Sequence, residues 1–412
     1  MDGSAQSLGT PQSDTDSRRA WLRLAAAVVI GSIGAVGMWS VVVALPAIQA
    51  DFGIPRAEAA LPYTLAMIGF AFGAIAVGPI TDRFGIVPPL IICSLSLCGG
   101  FLGSAMAADG LQFALWHLLI GFGSSAGFAP LIADISHWFV RRRGIAVAIC
   151  ASGNYIGGAV WPPVVSYLID AHGWRATQIA IGLFCLVTML PFVRIMRRKR
   201  MTNGSDAVDE AAFQGSARDL GLSSGALQVL ICLAGIACCV AMSMPQVHIV
   251  AYCSDLGYGV ARGAEMLSLM MGFGIISRIA SGFIADWIGG LRTLLLGSFL
   301  QGVALFLYLL FDGLTPLYVI SALFGLFQGG IVPMYAVLVR EYFPPQQAAT
   351  RVGLSITSTI LGMAIGGWMS GAIFDLTGSY WQAFANGLLW NLLNITIIMF
   401  LLKRGRLRAA TA

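Results

Sequence analysis

Apolar residues come in twelve long runs along this chain, separated by short polar stretches. The runs lie near 22–46, 59–80, 88–107, 111–136, 144–169 and 176–195, and then near 226–250, 264–285, 291–311, 315–340, 352–374 and 381–402. A bilayer's hydrocarbon core takes roughly 20 helical residues per crossing, so each run predicts one membrane-spanning helix. The fold class expected is an all-α membrane protein with two bundles of six. The first run is too long for a cleaved leader, and a polar tail of about 20 residues precedes it, so it is expected to stay as the first helix.

Composition agrees with the pattern. Apolar residues make up 58% of the 412 and charged residues only 10%, where an average soluble domain carries about a quarter charged. The 50 glycines and 10 tryptophans suit bilayer helices, which use Gly at close crossings and Trp at interfaces. Cys93, Cys98, Cys150, Cys185, Cys232, Cys238, Cys239 and Cys253 lie in or beside apolar runs without metal-ligand spacing. They read as small hydrophobes, and neither a metal nor a cofactor is expected.

The positions of Lys and Arg set an orientation. With the N-terminus inside, 20 of the 24 fall in cytoplasmic segments, including Arg18, Arg19, Arg141, Arg142, Arg143, the Arg194–Arg200 cluster and Lys403 through Arg408. Outer loops hold Arg56, Arg175 and Arg262, and Arg278 remains inside a run. The chain therefore divides into a cytoplasmic tail (1–21), a first bundle (22–195), a linker (196–225), a second bundle (226–402) and a cytoplasmic tail (403–412). The basic cluster at 197–200 has no aromatic interleaving for bases. It reads as a headgroup anchor touching membrane lipid, not as a nucleic-acid site.

The two bundles are repeats. Gly78-Pro-Ile-Thr-Asp82-Arg83-Phe-Gly85 follows the second run, and Gly282-Phe-Ile-Ala-Asp286-Trp-Ile-Gly289 follows the eighth, 204 residues later. Trp138-Phe139 leads to Tyr167-Leu-Ile-Asp170, as Tyr342-Phe343 leads to Ala372-Ile-Phe-Asp375, with 31 and 32 residues from phenylalanine to aspartate.

The Gly-x-x-x-Asp-Arg-x-Gly segment resembles the signature loop of the major facilitator superfamily, and the resemblance runs from the first helix to the twelfth. Trp138-Phe139-Val-Arg141-Arg142-Arg143-Gly144, Gly173-Trp174-Arg175, and Arg278 four residues before Gly282 resemble the monocarboxylate porters and their oxalate–formate relatives. The resemblance implies a bacterial inner-membrane transporter, monomeric, moving a small organic anion by alternating access, with a proton as the expected partner. The signature loop then reads as a gate. Asp82, with Arg83, Arg142 and Asp286, biases one state of the cycle when Asp82 meets a helix N-terminus or one of Arg141–Arg143. One departure stands: Ile86-Val87 follow Gly85 where the family usually has basic residues.

Arg278 is the leading substrate candidate. An arginine near the bilayer centre costs about 2.5–3.5 kcal/mol even on insertion scales, and it cannot escape by deprotonation. No Asp or Glu stands in the central third of a run; the nearest is Asp134. An anionic substrate is the counter-ion expected, held by a planar guanidinium fork; the alternative is an arginine bonded to backbone carbonyls. The oxalate carriers add a lysine in helix 11, and animal monocarboxylate porters a lysine in helix 1 and an aspartate one turn before the arginine. This chain has neither, with Gly274 at the latter place. One fixed charge matches one carboxylate, lactate- or pyruvate-like, with an exchanger or uniporter of oxalate-like or aromatic acids as the alternative.

His248 follows Pro245 in the seventh run and shares a face with Tyr252. It is a candidate for substrate contact and for carrying the proton, or else a histidine satisfied by backbone. His117, four residues before Gly121, is a second proton candidate. Asn154, Tyr155, Gln328, Tyr335 and Thr359 are candidate cavity-lining residues. No Ser-His-Asp spacing, metal cluster or phosphate loop points to an enzyme.

Overall fold

The computed structural model describes residues 16–139, 142–197 and 220–411. Those residues are helical throughout apart from short connections. We number the spans in chain order: α1 Arg18–Phe52, α2 Arg56–Phe84, α3 Val87–Ala105, α4 Gly110–Trp138, α5 143–172, α6 174–196, α7 Ser224–Asp255, α8 Val260–Ile288, α9 Gly290–Leu310, α10 Leu314–Tyr342, α11 Pro345–Thr377 and α12 Tyr380–Thr411.

Eleven stretches of the described chain are long and apolar enough to cross a membrane. One of them, Gly144–Met196, has 53 residues, which is roughly 80 Å of helix at 1.5 Å per residue. That is more than twice a hydrocarbon core of about 30 Å. Gly173 breaks it with φ 79° and ψ 162°, a conformation open essentially to glycine. The result is twelve crossings, with residues 16 and 411 at the same end of the bundle. That end is called terminal below, and the opposite end distal.

The repeat is visible in the backbone. The signature loops close on Gly85 (φ 80°) and Gly289 (φ 84°), whose N–H groups bond the carbonyls of Thr81 and Ala285 at 2.8 and 2.9 Å. Gly121 of α4 lies so close to Ala66 of α2 that a Cβ has no room, and Gly325 of α10 lies the same way on Met270 of α8. Both residues of the second pair stand 204 positions after those of the first. α4 and α10 are each interrupted at their middle, between Ala126 and Ala129 and between Gln328 and Ile331. Pro130 and Pro333, 203 residues apart, account for both breaks, because each removes the N–H that would bond the carbonyl four residues back. The expected runs at 111–136 and 315–340 are therefore broken helices.

Halves α1–α6 and α7–α12 meet along α2 against α11 and α5 against α8. The first seam is tight distally, where Gly371 abuts Ala57 and Gly367 abuts Tyr63. Thr64 Oγ1 donates to Ala364 O at 3.0 Å. Toward the terminal end it parts around an apolar space of about 220 Å³ lined by Met67, Phe72, Ile75, Ile360 and Leu361, among others. Phe72 and Ile75 are exposed there. At this seam the two helices are packed closely at the distal end and stand apart toward the terminal end.

Candidate functional site

Arg278 stands 18 residues into the 29-residue α8, roughly 6 Å past its midpoint toward the terminal end. This is lower than the centre expected from a run starting at 264. Its Nε donates to Gly329 O at 3.4 Å, its Nη1 to Ala151 O at 3.2 Å, and its guanidinium carbon lies 4.3 Å from the Tyr155 ring centroid. Gly329 O is the carbonyl that Pro333 leaves without a helical donor. The arginine thus occupies the break in α10 and reaches across the α5–α8 seam into the other half. Among the described residues no carboxylate comes within ion-pair distance of it. Asp134, the acidic residue that comes nearest to the central third of a run, is held instead by Arg23 in a two-point pair of 2.7 and 2.8 Å.

Asn154, on the same helix as Tyr155, accepts from Trp39 Nε1 at 3.4 Å, which ties α1 to α5 beside the seam. Gln328 is fully buried one residue before Gly329, and neither of its amide atoms has a partner among the described residues. Tyr335 points elsewhere: its hydroxyl donates to Asn394 of α12 at 3.2 Å, and Asn394 donates to Ser298 of α9 at 2.8 Å. That is packing within the second half, because α10 turns this face inward after its break. Thr359 is also buried, its hydroxyl donating to Ile356 O.

His248 is fully buried with both ring nitrogens engaged. Nε2 lies 2.8 Å from Gly367 O and Nδ1 lies 2.9 Å from the Tyr380 hydroxyl. A carbonyl only accepts, so Nε2 carries the hydrogen and a neutral ring must accept at Nδ1 from Tyr380. The Tyr380 oxygen in turn accepts from Arg56 Nη1 at 2.6 Å, and Arg56 holds Asp255 at 3.0 and 3.1 Å. Tyr252 packs edge-on against Tyr380 and Phe384, each at 5.4 Å. His117 belongs to a separate place: its Nδ1 donates to Phe113 O at 2.9 Å, its Nε2 is buried without a partner among the described residues, and its ring packs on Phe113.

Three comparisons bear on this arrangement. The Major Facilitator Superfamily model matches residues 27–318 and 292–411, which together take in both halves. The chain belongs to this superfamily. Among relatives, human monocarboxylate transporter 11 is 25% identical over 91% of this chain and 81% of its own length. An MFS-type transporter of Aspergillus niger, pynF, is 23% identical over 91% and 86%. Among solved structures, a bacterial homologue of the lysosomal transporter Spinster, inward-facing and occupied, superposes with TM-score 0.67 at 15% identity, covering 94% of this chain and 95% of that one. A mutant of the nucleoside transporter NupG gives 0.72 at 14%, covering 93% and 99%. The protein is therefore a secondary transporter of a small solute, not an enzyme.

In this facilitator the signature-loop residues make no ion pair with one another among the described residues. Asp82, Arg83, Arg142 and Asp286 are all exposed. Arg83 lies over Phe84 at 5.2 Å, and Asp82 and Asp286 have no ion-pair partner among the described residues. Arg141 lies outside the described residues. Sequence reading missed the distal cluster of Arg56, Asp255, Asp375 and Tyr380, and missed Tyr63, whose buried hydroxyl has no partner among the described residues where Gly367 abuts its ring. The doubled Asp51/Asp255 and Pro130/Pro333 spacings were the available signals.

Proposed function

We propose that the transporter carries a small monocarboxylate together with a proton, that its terminal end faces the cytoplasm, and that it works in the plasma membrane. The carrying observation is Arg278: a permanent cation at the seam between the halves, with neutral carbonyls and an aromatic face around it but no carboxylate among the described residues. Hydrogen bonds of 3.2 and 3.4 Å to carbonyls are long for a charged donor. A substrate carboxylate offers the same donors a stronger, two-point partner, and Gln328 a neighbouring amide with free valences. The cation count on the cytoplasmic segments supports the orientation, and two relatives named monocarboxylate transporters support the substrate class.

Arg278→Lys tests the fork. Losing a charge-assisted contact of about 1.5–3 kcal/mol should weaken acid binding roughly 10- to 100-fold, read by thermal shift of the purified protein against a panel of short carboxylates and by uptake into proteoliposomes. Wild-type affinity in the lysine variant would end the fork reading. Accumulation by counterflow without any response to a proton gradient would favour exchange or uniport over symport.

The proton is assigned to His248. Its neutral ring accepts from Tyr380; a protonated ring has two donors, and its Nδ1–H then competes with Arg56 for the Tyr380 oxygen. His248→Gln can keep both hydrogen bonds, Oε1 accepting and Nε2 donating, but takes up no proton in the physiological range. The variant should bind the acid and lose the dependence of uptake on external pH. An unchanged pH response would move the assignment to His117.

A further inference from the structure

The α2 N-terminus begins at Arg56, against the last turn of α11. The Asp375 carboxylate accepts from Arg56 N at 2.8 Å and from Ala57 N at 2.7 Å. Two of the four backbone donors that a helix start leaves open are thus met from the other half of the molecule, with a negative charge at the positive end of the helix dipole. The Arg56 side chain makes further contacts of its own at the same seam. It is 6% exposed, reaches Asp255 of α7 and the Tyr380 hydroxyl of α12, and lies over the Phe374 ring at 4.6 Å. One residue therefore carries polar links to α7, α11 and α12 at once.

Nothing in the matching place of the first half does this. Asp170, 205 residues before Asp375, is exposed and has no hydrogen-bond or ion-pair partner among the described residues. The helix start it would cap by the repeat, at Val260, has no side-chain cap. The arrangement is built at one seam only, and it sits where the two halves are tight.

We propose that Arg56 and Asp375 form the distal latch of the transport cycle: the carboxylate cap and the guanidinium links hold α2 to the second half while the terminal end is open, and both must break for the distal end to open. α2 and α11 run antiparallel, so the end of α2 carrying Asp82 faces the start of α11 at the opposite end of the seam. Release of the distal cap and engagement of Asp82 are then alternatives, because a rigid α2 that tilts away from α11 at one end approaches it at the other. The latch depends on alternating access and not on the identity of the solute, so it can fail or hold independently of the monocarboxylate reading.

The experiment is a distance measurement between spin labels on the two distal rims, at Ala108→Cys and Asp312→Cys, both exposed positions. The native cysteines are buried or half-buried. In nanodiscs without substrate the parent should show mainly the short distance. Arg56→Gln should raise the ratio of long to short roughly tenfold, the loss of one charge-assisted contact. Asp375→Asn, at the watery rim, should raise it about two- to fivefold. Tyr380→Phe removes only one hydroxyl and gives a third reading should Arg56→Gln fold poorly. Asp170→Asn should leave the distribution unchanged. Unchanged distances in Asp375→Asn and Tyr380→Phe, or an equal change in Asp170→Asn, would overturn the latch.

Discussion

Asp51 and Asp255 end the first helix of their respective halves, 204 residues apart, yet they are wired differently. Asp51 pairs with Arg175 at 2.7 Å, at the start of α6 in its own half, with both side chains well exposed. The residue matching Arg175 in the second half is Tyr380, which brings no positive charge. Asp255 instead takes Arg56 from the opposite half, and the residue matching Arg56 is Val260. Inside the bundles the contrast repeats. The first half holds the buried Arg23–Asp134 pair, with Arg23 also over the Trp138 ring at 4.6 Å, where the second has Leu227 and Val337. Duplication fixed where these residues stand. The partner that each acid meets decides whether it ties helices within one half, as Asp51 does, or joins the two halves, as Asp255 does.

The largest expected effect separates those two uses. Arg23→Leu, copying Leu227, leaves Asp134 buried without its cation and should cost about 3–5 kcal/mol, whereas adding Asp134→Val, copying Val337, should recover nearly all of it. Thermal unfolding in detergent reads both, and a single variant as stable as the double would show that the pair carries no such penalty. Next comes Arg56→Val, copying Val260. It should leave unfolding nearly unchanged but favour the distal-open state by about 1.5–3 kcal/mol, seen with the same rim labels; a loss of global stability instead would make Arg56 a staple like Arg23. Asp82→Asn probes the opposite end. Uptake should slow by roughly fivefold at unchanged affinity, as for one helix-end charge, and a loss of equilibrium binding would place Asp82 near substrate. Smallest is Arg175→Ala, an exposed pair within one half, which should cost no more than about 1 kcal/mol and less in molar salt.

Much of the fold was legible because lipid leaves few alternatives: a backbone that cannot bond water must be helical, and length fixes the crossings. The repeat was legible because glycine at Gly85 and Gly289 answers to a local backbone need. Arg278 stood out because charge in an apolar run is costly. The arrangement of the other candidate residues was less accessible. Tyr335 looks like Tyr155 in sequence, yet the first turns to Asn394 and the second lies under Arg278. His117 and His248 share a residue type, but only His248 joins the hydrogen-bonded chain through Tyr380 to Arg56.

By itself the sequence determined the twelve crossings, the two halves, the likeness to a superfamily and the presence of one unneutralised arginine, since each depends on local pattern or on a count of charges. Only the tertiary structure decided what that arginine rests on, the Gly329 carbonyl that Pro333 leaves free and Ala151 O across the seam. It alone joined Arg56 to Asp255, Asp375 and Tyr380, partners 199 to 324 residues away. Such pairings follow from which helix faces meet when the halves close, and no local pattern encodes that.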